Sequence, residues 1–484
     1  MTDLHDQVPN REKVLVIGAG PAGLAAAAAL QAVGLPFDLV DRAKHVGGIW
    51  NLDRADTPVW PSLEMVSSRT FTQYEEMLQP VSYPDFLSPE QMAKYLRAYA
   101  ARHQLTDHFR PGVEVRSARP FEDGVWQVEL STGEIMIYRA VISAHGISER
   151  PHRPAWAADV PKTLPVMHAK EWEGADGLEG RRVLVVGSGQ SAADIAVDAA
   201  RRALEVRWSM RTGHWVVPRR IGSTPGDVAA SREPAVLGAL NEKIAEAVVS
   251  RAAGDPVAAG LPEPEAGLLE DSVIISDDVL DRVREGRISP IGEVTGVVDG
   301  QLQYTDGAEF VPDLVVLATG YRSGADHLPE DVVPRTPTGE LDLFLGAFPR
   351  GRDDLVILGQ QRVSGGVLPV LVQQADIAAL MLRAVTDGSA AADQFRRARG
   401  GSEAAVPTPE ERRRGRLGRL GSLFGGSGAS RSGVARSGVA QSGAARAGSG
   451  QAPAAEAAEA EGLIPFRDRD ALLGRLETVR TLFE

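Results

Sequence analysis

The sequence predicts an α/β fold with two parallel-sheet βαβ units in one chain, and three observations predict it. A β-branched run, Lys13–Ile17 (KVLVI), passes directly into glycines and then into an Ala-rich stretch of helical composition. The same order recurs 169 residues later at Arg182–Val186 (RVLVV). At 484 residues and 43% apolar content the chain is long enough to give each unit its own core. Strand, glycine turn and helix in immediate succession form the opening of a βαβ unit. Pro151 and Pro154 mark a linker between the two.

Composition removes several alternatives. With 52 Lys plus Arg against 65 Asp plus Glu the formal charge is −13, which argues against nucleic acid as a partner. Cysteine is absent, so there is no disulfide framework, thiolate nucleophile, Cys-ligated zinc or dithiol relay, and no metal site is expected. The start, MTDLHDQVPNREK, lacks the charged-then-apolar order of a signal peptide. The apolar stretches near 21–40 and 363–385 are broken by Gln31 and Asp38 and by Gln373, Gln374 and Asp376, short of about 18 unbroken apolar residues. The expectation is a soluble, cytoplasmic protein with no membrane partner.

The first unit carries Gly18-Ala-Gly20-Pro21-Ala22-Gly23, which fits G-x-G-x-x-G between a strand and a helix. The first glycine permits the tight turn, the second lets a pyrophosphate approach the backbone, and the third lets helix and sheet pack closely. The pyrophosphate would sit at the helix N-terminus, where N–H groups and the dipole favour an anion. A second run, Phe37–Val40, ends in Asp41, 23 residues past Gly18, where an acid accepts bonds from ribose hydroxyls; Arg42 follows. Gly47-Gly48-Ile49-Trp50 then lets backbone run close to a flat ligand and offers an aromatic wall.

The second unit repeats the motif as Gly187-Ser188-Gly189-Gln190-Ser191-Ala192, with the tolerated Ala at the third position. At the matching offset stand Met210 and Arg211 in place of Asp41 and Arg42. Losing the acid while keeping the cation favours a 2′-phosphate over a free 2′-hydroxyl. The first unit is therefore read as binding FAD and the second as binding NADPH.

These pieces, in this order, resemble the class B flavoprotein monooxygenases: the flavin-containing monooxygenases and their Baeyer–Villiger relatives. The resemblance rests further on Ser67-Ser-Arg69 with Tyr83-Pro-Asp-Phe86, Gly146 with Pro151 and Pro154, and His168 with Trp172. It continues through Arg211-Thr-Gly-His-Trp215, Leu261–Pro264, Ile275–Asp278 and Leu317-Ala-Thr-Gly-Tyr321, covering about residues 10 to 385. Disulfide reductases with two such units need a Cys pair, which this chain lacks.

The resemblance implies an NADPH domain inserted into the FAD domain. The implied boundaries are 10–160 and 311–395 for the FAD domain and 165–310 for the NADPH domain. Gly187, Gly189, Gln190 and Ser191 would contact phosphates, Arg211 would read the 2′-phosphate, and Thr319 and Gly320 would close the FAD pyrophosphate side. It also implies that NADPH reduces the flavin, that O2 adds to give a C4a-peroxyflavin, and that a small substrate is oxygenated at sulfur or nitrogen. The alternatives are ketone insertion, or an NADPH dehydrogenase or oxidase. Because the cofactor carries the reactive group, no acid–base constellation is needed and none is assigned.

Four positions depart from the family pattern. Val66 stands where flavin-containing monooxygenases often carry an Asn, and valine donates no side-chain hydrogen bond. Ala144-His145-Gly146 replaces Ala-Thr-Gly, and Lys162 and Leu164 replace a Phe and a Gly ahead of His168. Beyond the resemblance, residues 400–462 are rich in Gly, Ala, Ser and Arg, with eight Arg and three Glu over 401–450, and contain the blocks RSGVA, RSGVA, QSGAA and RAGSG. Such a tract buries too little apolar area to offset its ordering entropy and is expected to be disordered. Leu472, Leu473, Leu476, Val479 and Leu482 then predict a terminal helix within 464–484.

Overall fold

The computed structural model describes residues 10–231, 239–268, 273–363, 365–402, 466–467 and 469–484. The expected disordered tract lies almost wholly outside them.

Two five-stranded parallel sheets organise the chain. In the first, β1 (Val14–Ile17) is central, flanked by β2 (Phe37–Asp41) and β7 (Ala140–Ser143). β3 (Phe109–Pro111) and the strand Leu355–Ile357 form its edges. β1, β2 and β7 are buried along their whole length because helices cover one face and a β-meander the other. Helix α1 (Pro21–Ala32) lies on the first face with the long helix Leu368–Asp387. The meander β4 (Val115–Phe121), β5 (Val125–Leu130) and β6 (Ile135–Tyr138) contributes Trp126, Val128 and Tyr138 to the core of the other. A further helix, α2 (Pro89–Arg102), is started by Ser88 and Gln91 in a reciprocal capping box.

The second sheet runs Ile288–Ile291, β10 (Glu205–Ser209), β9 (Arg182–Val186), Leu314–Leu317 and β8 (Val166–His168), all parallel, with α3 (Gln190–Ala199) following β9. The boundary expected at 311 falls just before the strand Leu314–Leu317 of this sheet. Leu314–Leu317 is a fully buried strand paired with β9, so the chain leaves the second unit only after Leu317. The pairing is non-local and leaves no mark in the local sequence. The two sheets match strand for strand: Leu314–Leu317 stands to β9 as β7 stands to β1.

The C-terminal helix spans Arg469–Arg480, preceded by Phe466–Arg467, which pairs in parallel with Arg362–Val363. Leu472, Leu476 and Val479 join the core formed by α1 and Leu368–Asp387. By length and composition the stretch Leu368–Thr386 could cross a membrane, contrary to the expectation for 363–385, yet 61% of it is buried inside the protein.

Candidate functional site

Both glycine motifs stand at the carboxyl ends of parallel strands, where open α/β sheets bind ligands. In the first, Gly18 adopts φ +99° and a Cβ there would lie 2.4 Å from the Ala144 carbonyl oxygen. A Cβ on Gly23 would lie 1.7 Å from the Gly18 oxygen, so only glycine lets α1 sit this close. Gly48, at φ +59°, faces Gly20: its Cβ would stand 2.8 Å from the Gly20 Cα. The Gly47 N–H donates to the Ala19 carbonyl at 2.9 Å and fixes this approach. Ile49 and Trp50 are half-buried beside it.

Asp41 does not point outward alone. Its two oxygens accept the N–H groups of Ala19 (2.7 Å) and Ala43 (2.8 Å), so part of its acceptor capacity holds the loop itself. Arg42 bridges Asp56 (2.6 Å) and Glu149 (2.8 Å). The carbonyl of Pro21 accepts the hydroxyl of Tyr74, which is buried and stacked on Tyr99.

In the second motif Gly187 has φ +137° and a Cβ would lie 2.2 Å from the Ala318 oxygen. Thr319 and Gly320 therefore follow a residue that packs on the second glycine turn, and they lie in the linker out of the second unit. The Thr319 hydroxyl donates to the His152 carbonyl, and the His152 N–H donates to the Gly320 carbonyl at 2.9 Å.

Around Gly189 a Cβ would meet nothing within 4 Å. Ser188 Oγ accepts the N–H groups of Arg211 (3.2 Å) and Thr212 (3.3 Å), tying the loop to the end of β10. The Gln190 side chain is spent on protein. Its amide donates to the Ile275 carbonyl (2.9 Å) and to Asp194 (3.0 Å), and its oxygen accepts the Ile275 N–H (2.8 Å). Ser191 is exposed at the start of α3, and Arg211 is exposed as well. Burial, with the charges of Arg322 and Arg211 adding, pushes buried His152 down to about 4, so two guanidinium groups act on one point between loop and linker. Gly213 packs against the carbonyls of Pro262 and Glu263, and Trp215 Nε1 donates to the Ala266 carbonyl at 3.1 Å.

The two linkers pair with one another. The Arg322 N–H donates to the Arg150 carbonyl (2.8 Å), and Pro151 bridges Tyr321. His168 holds the second linker: Nδ1 accepts the Lys170 N–H (3.1 Å), which leaves Nε2–H to donate to the Gly320 carbonyl (3.1 Å). Burial pushes this imidazole down to about 4 and keeps it neutral.

His145 holds the first linker. Its Nε2 lies 2.8 Å from the Gly324 carbonyl, its Nδ1 lies 2.8 Å from Ser143 Oγ, and His327 Nε2 lies 2.9 Å from the same hydroxyl. The only hydrogen order that satisfies all three runs from His327 through Ser143 and His145 to Gly324. Burial drives both rings below their ordinary range, His327 to about 3. Gln360 adds a bond to the Gly146 carbonyl at 2.7 Å. Ser143, His327 and Gln360 carried no sequence signal; His145 did, as a departure from Ala-Thr-Gly.

A third region joins the units. Residues 60–86 of the first reach across to the second through Ser62–Asp198 (3.3 Å), Glu64–Arg219 and Asp85–Arg220 (2.5 Å). The N–H of Ser68 donates to Asp227 Oδ2 at 2.7 Å. Val66, half-buried, offers no donor here.

These features fit the expected cofactors. Bare backbone at Gly189 leaves room for a phosphate, Gly20 and Gly48 bring two bare backbones together at the first loop, and neither α1 nor α3 has its N-terminus capped by a side-chain hydrogen bond. Among the described residues no group of three or more His, Cys, Asp or Glu could hold a metal ion.

Such a pair of linked dinucleotide sites defines a two-domain flavoprotein, and comparison with known proteins names the family. Residues 11–396 match the model of the flavin-binding monooxygenase-like family, and the chain belongs to it. Among curated proteins it is 29% identical to indole-3-pyruvate monooxygenase YUCCA1 of Oryza sativa over 320 residues, 64% of this chain and 76% of that protein. It is 26% identical to dimethylaniline monooxygenase [N-oxide-forming] 2 of Rattus norvegicus over 402 residues, 77% of this chain and 74% of that one. Among solved structures, a mutant flavin monooxygenase from Stenotrophomonas maltophilia superposes with TM-score 0.60 at 21% identity, over 78% of this chain and 99% of that one. The chain is thus a flavin-dependent oxidoreductase of the monooxygenase type, with FAD and NADPH as its cofactors, acting on a small molecule with O2.

Proposed function

We propose that the protein uses NADPH and O2 to oxygenate a small organic substrate at a soft heteroatom, sulfur or nitrogen. The observation that carries this reading is the pair of glycine loops at the carboxyl ends of two parallel sheets, joined by two mutually paired linkers in a chain without cysteine. FAD bound on the first loop supplies hydride acceptance and oxygen activation. The protein's own part is binding, alignment and exclusion of water. Gly18, Gly20, Gly23 and Gly48 admit the flavin nucleotide, with Asp41 toward its ribose. Gly187, Gly189 and Arg211 admit NADPH. The rat relative, named as N-oxide-forming, supports the heteroatom class.

His168 has both ring nitrogens committed to backbone, so it holds the linker and is not read as a proton donor to substrate. Val66 favours a second reading, an NADPH oxidase that releases peroxide. Steady-state turnover with thioanisole and with N,N-dimethylaniline tests both. The heteroatom reading expects sulfoxide or N-oxide in near-stoichiometric yield with NADPH consumed. Peroxide equal to the NADPH consumed, with either compound, would overturn it in favour of the oxidase.

A further inference from the structure

The family match ends at residue 396, yet the chain beyond it returns to the domain boundary. Packing of Leu472, Leu476 and Val479 seats the C-terminal helix on Leu368–Asp387, and this sets its first residue, Arg469, against Phe71. The guanidinium carbon lies 3.9 Å from the Phe71 ring centroid, and the side chain is only 5% exposed. A cation over an aromatic face in so dry a place is held more firmly than one on the surface.

Gly366 clamps Phe71 from the backbone side: a Cβ there would stand 2.3 Å from the Phe71 carbonyl oxygen. A Cβ on the neighbouring Gly365 would stand 2.7 Å from Arg469 Nη1 and 3.6 Å from Asp227 Cβ, so cation and acid flank the same glycine. Asp227 belongs to the second unit and accepts the N–H of Ser68, three residues before Phe71 in the first. Its other oxygen accepts the Val228 N–H at 2.9 Å. The loop that carries Gly365 begins at Gly359, where a Cβ would come within 4.0 Å of Ala22 Cβ in the first glycine motif. Glycines of one short loop therefore lie beside the FAD motif, Phe71, the C-terminal arginine and an acid of the other unit. Asp470, 66% exposed, pairs with Arg469 Nε at 2.9 Å.

We infer that Arg469 is a positioning residue for hydride transfer from NADPH to flavin. Its charge, acting beside Asp227, holds the second unit docked on the Ser68–Phe71 segment, so the C-terminal helix is part of the machinery that aligns the two cofactors. The residue touches neither cofactor nor substrate in this role. It acts through Asp227 and Phe71.

The test is anaerobic stopped-flow reduction of the FAD-loaded full-length protein by NADPH, which needs no oxygenation and so stands or falls separately from the heteroatom reading. Arg469→Met keeps length and packing without charge, and Asp227→Asn keeps an acceptor for the Ser68 N–H without charge. Each is expected to slow flavin reduction about fivefold at saturating NADPH, with flavin content and Tm near wild type. The double variant is expected to be no slower than either single one, and Arg469→Lys to recover at least half the wild-type rate. Additive losses, no loss in Arg469→Met, or loss of bound flavin in both Arg469→Met and Arg469→Lys would overturn the inference, the last by showing a purely structural role.

Discussion

The two glycine loops share strand, turn and helix but differ in what stands opposite them. The first is closed: Gly48 packs backbone to backbone on Gly20, Gly47 is bonded to Ala19, and Asp41 accepts the Ala19 N–H. The second is open at the equivalent point, where a Cβ on Gly189 meets nothing, and it is anchored from behind by Gly187, Ser188 and Gln190. A loop enclosed by its own domain suits a cofactor that stays through many turnovers. An open one suits a cofactor that enters and leaves in each.

The sharpest way to break that contrast is to fill each loop. Gly48→Val places a branched side chain at φ +59° within van der Waals overlap of Gly20. It is expected to yield folded protein almost devoid of flavin, read as the 450 nm to 280 nm absorbance ratio after purification. Gly189→Ala has space in the fold itself, at φ −89°. Tm and flavin content are expected to stay at wild type, while the methyl group stands where pyrophosphate must approach and raises the NADPH KM about a hundredfold, or about 2.7 kcal/mol. Equal flavin loss in both variants would erase the distinction between a closed and an open loop.

A smaller effect concerns which nucleotide the open loop accepts. Arg211→Ala is expected to weaken NADPH by about 1–3 kcal/mol, the worth of charge-assisted bonds to a phosphate, and to leave NADH nearly unchanged. Parallel losses for both nucleotides would mean that the Arg211 side chain does not read the 2′-phosphate, since its backbone N–H bond to Ser188 is kept in the variant.

The same contrast explains what was legible in the sequence. Turn glycines announce themselves because each solves a local problem, a positive φ at Gly18 and Gly187 or a close approach at Gly23, so spacing alone locates both loops. What closes or connects the loops is made by contacts between distant residues. Nothing near Leu314 says that it pairs with Val183. Ser143, His327 and Gln360 are ordinary residues until the fold gathers them around His145. Leu472, Leu476 and Val479 predict a docking helix by their period, yet not that its first residue ends on Phe71. At Gln190 the motif locates the residue, while the pairing of its side chain with the Ile275 backbone is again a contact between distant residues.

The smallest expected effect tests how firmly the open loop is held from behind. Asp194, one turn into α3, accepts the Gln190 amide that braces the loop, and burial, opposed by that bond and by the Arg219 charge, pushes its carboxyl from 3.8 up to about 7. A carboxyl raised in the folded state binds its proton more tightly there than in the unfolded chain. The stability it contributes is fully present below about 4 and is lost as pH rises through about 7, so Tm should decline across that window and level off above it. Asp194→Asn keeps an oxygen to accept the Gln190 bond but cannot ionise. It is expected to match wild type at pH 5, to exceed it by on the order of 2 °C at pH 8, and to flatten the decline between. A variant that lowers Tm equally at both pH values would show that Asp194 is needed as a charged partner of Arg219, and that the brace behind the second loop is ionic.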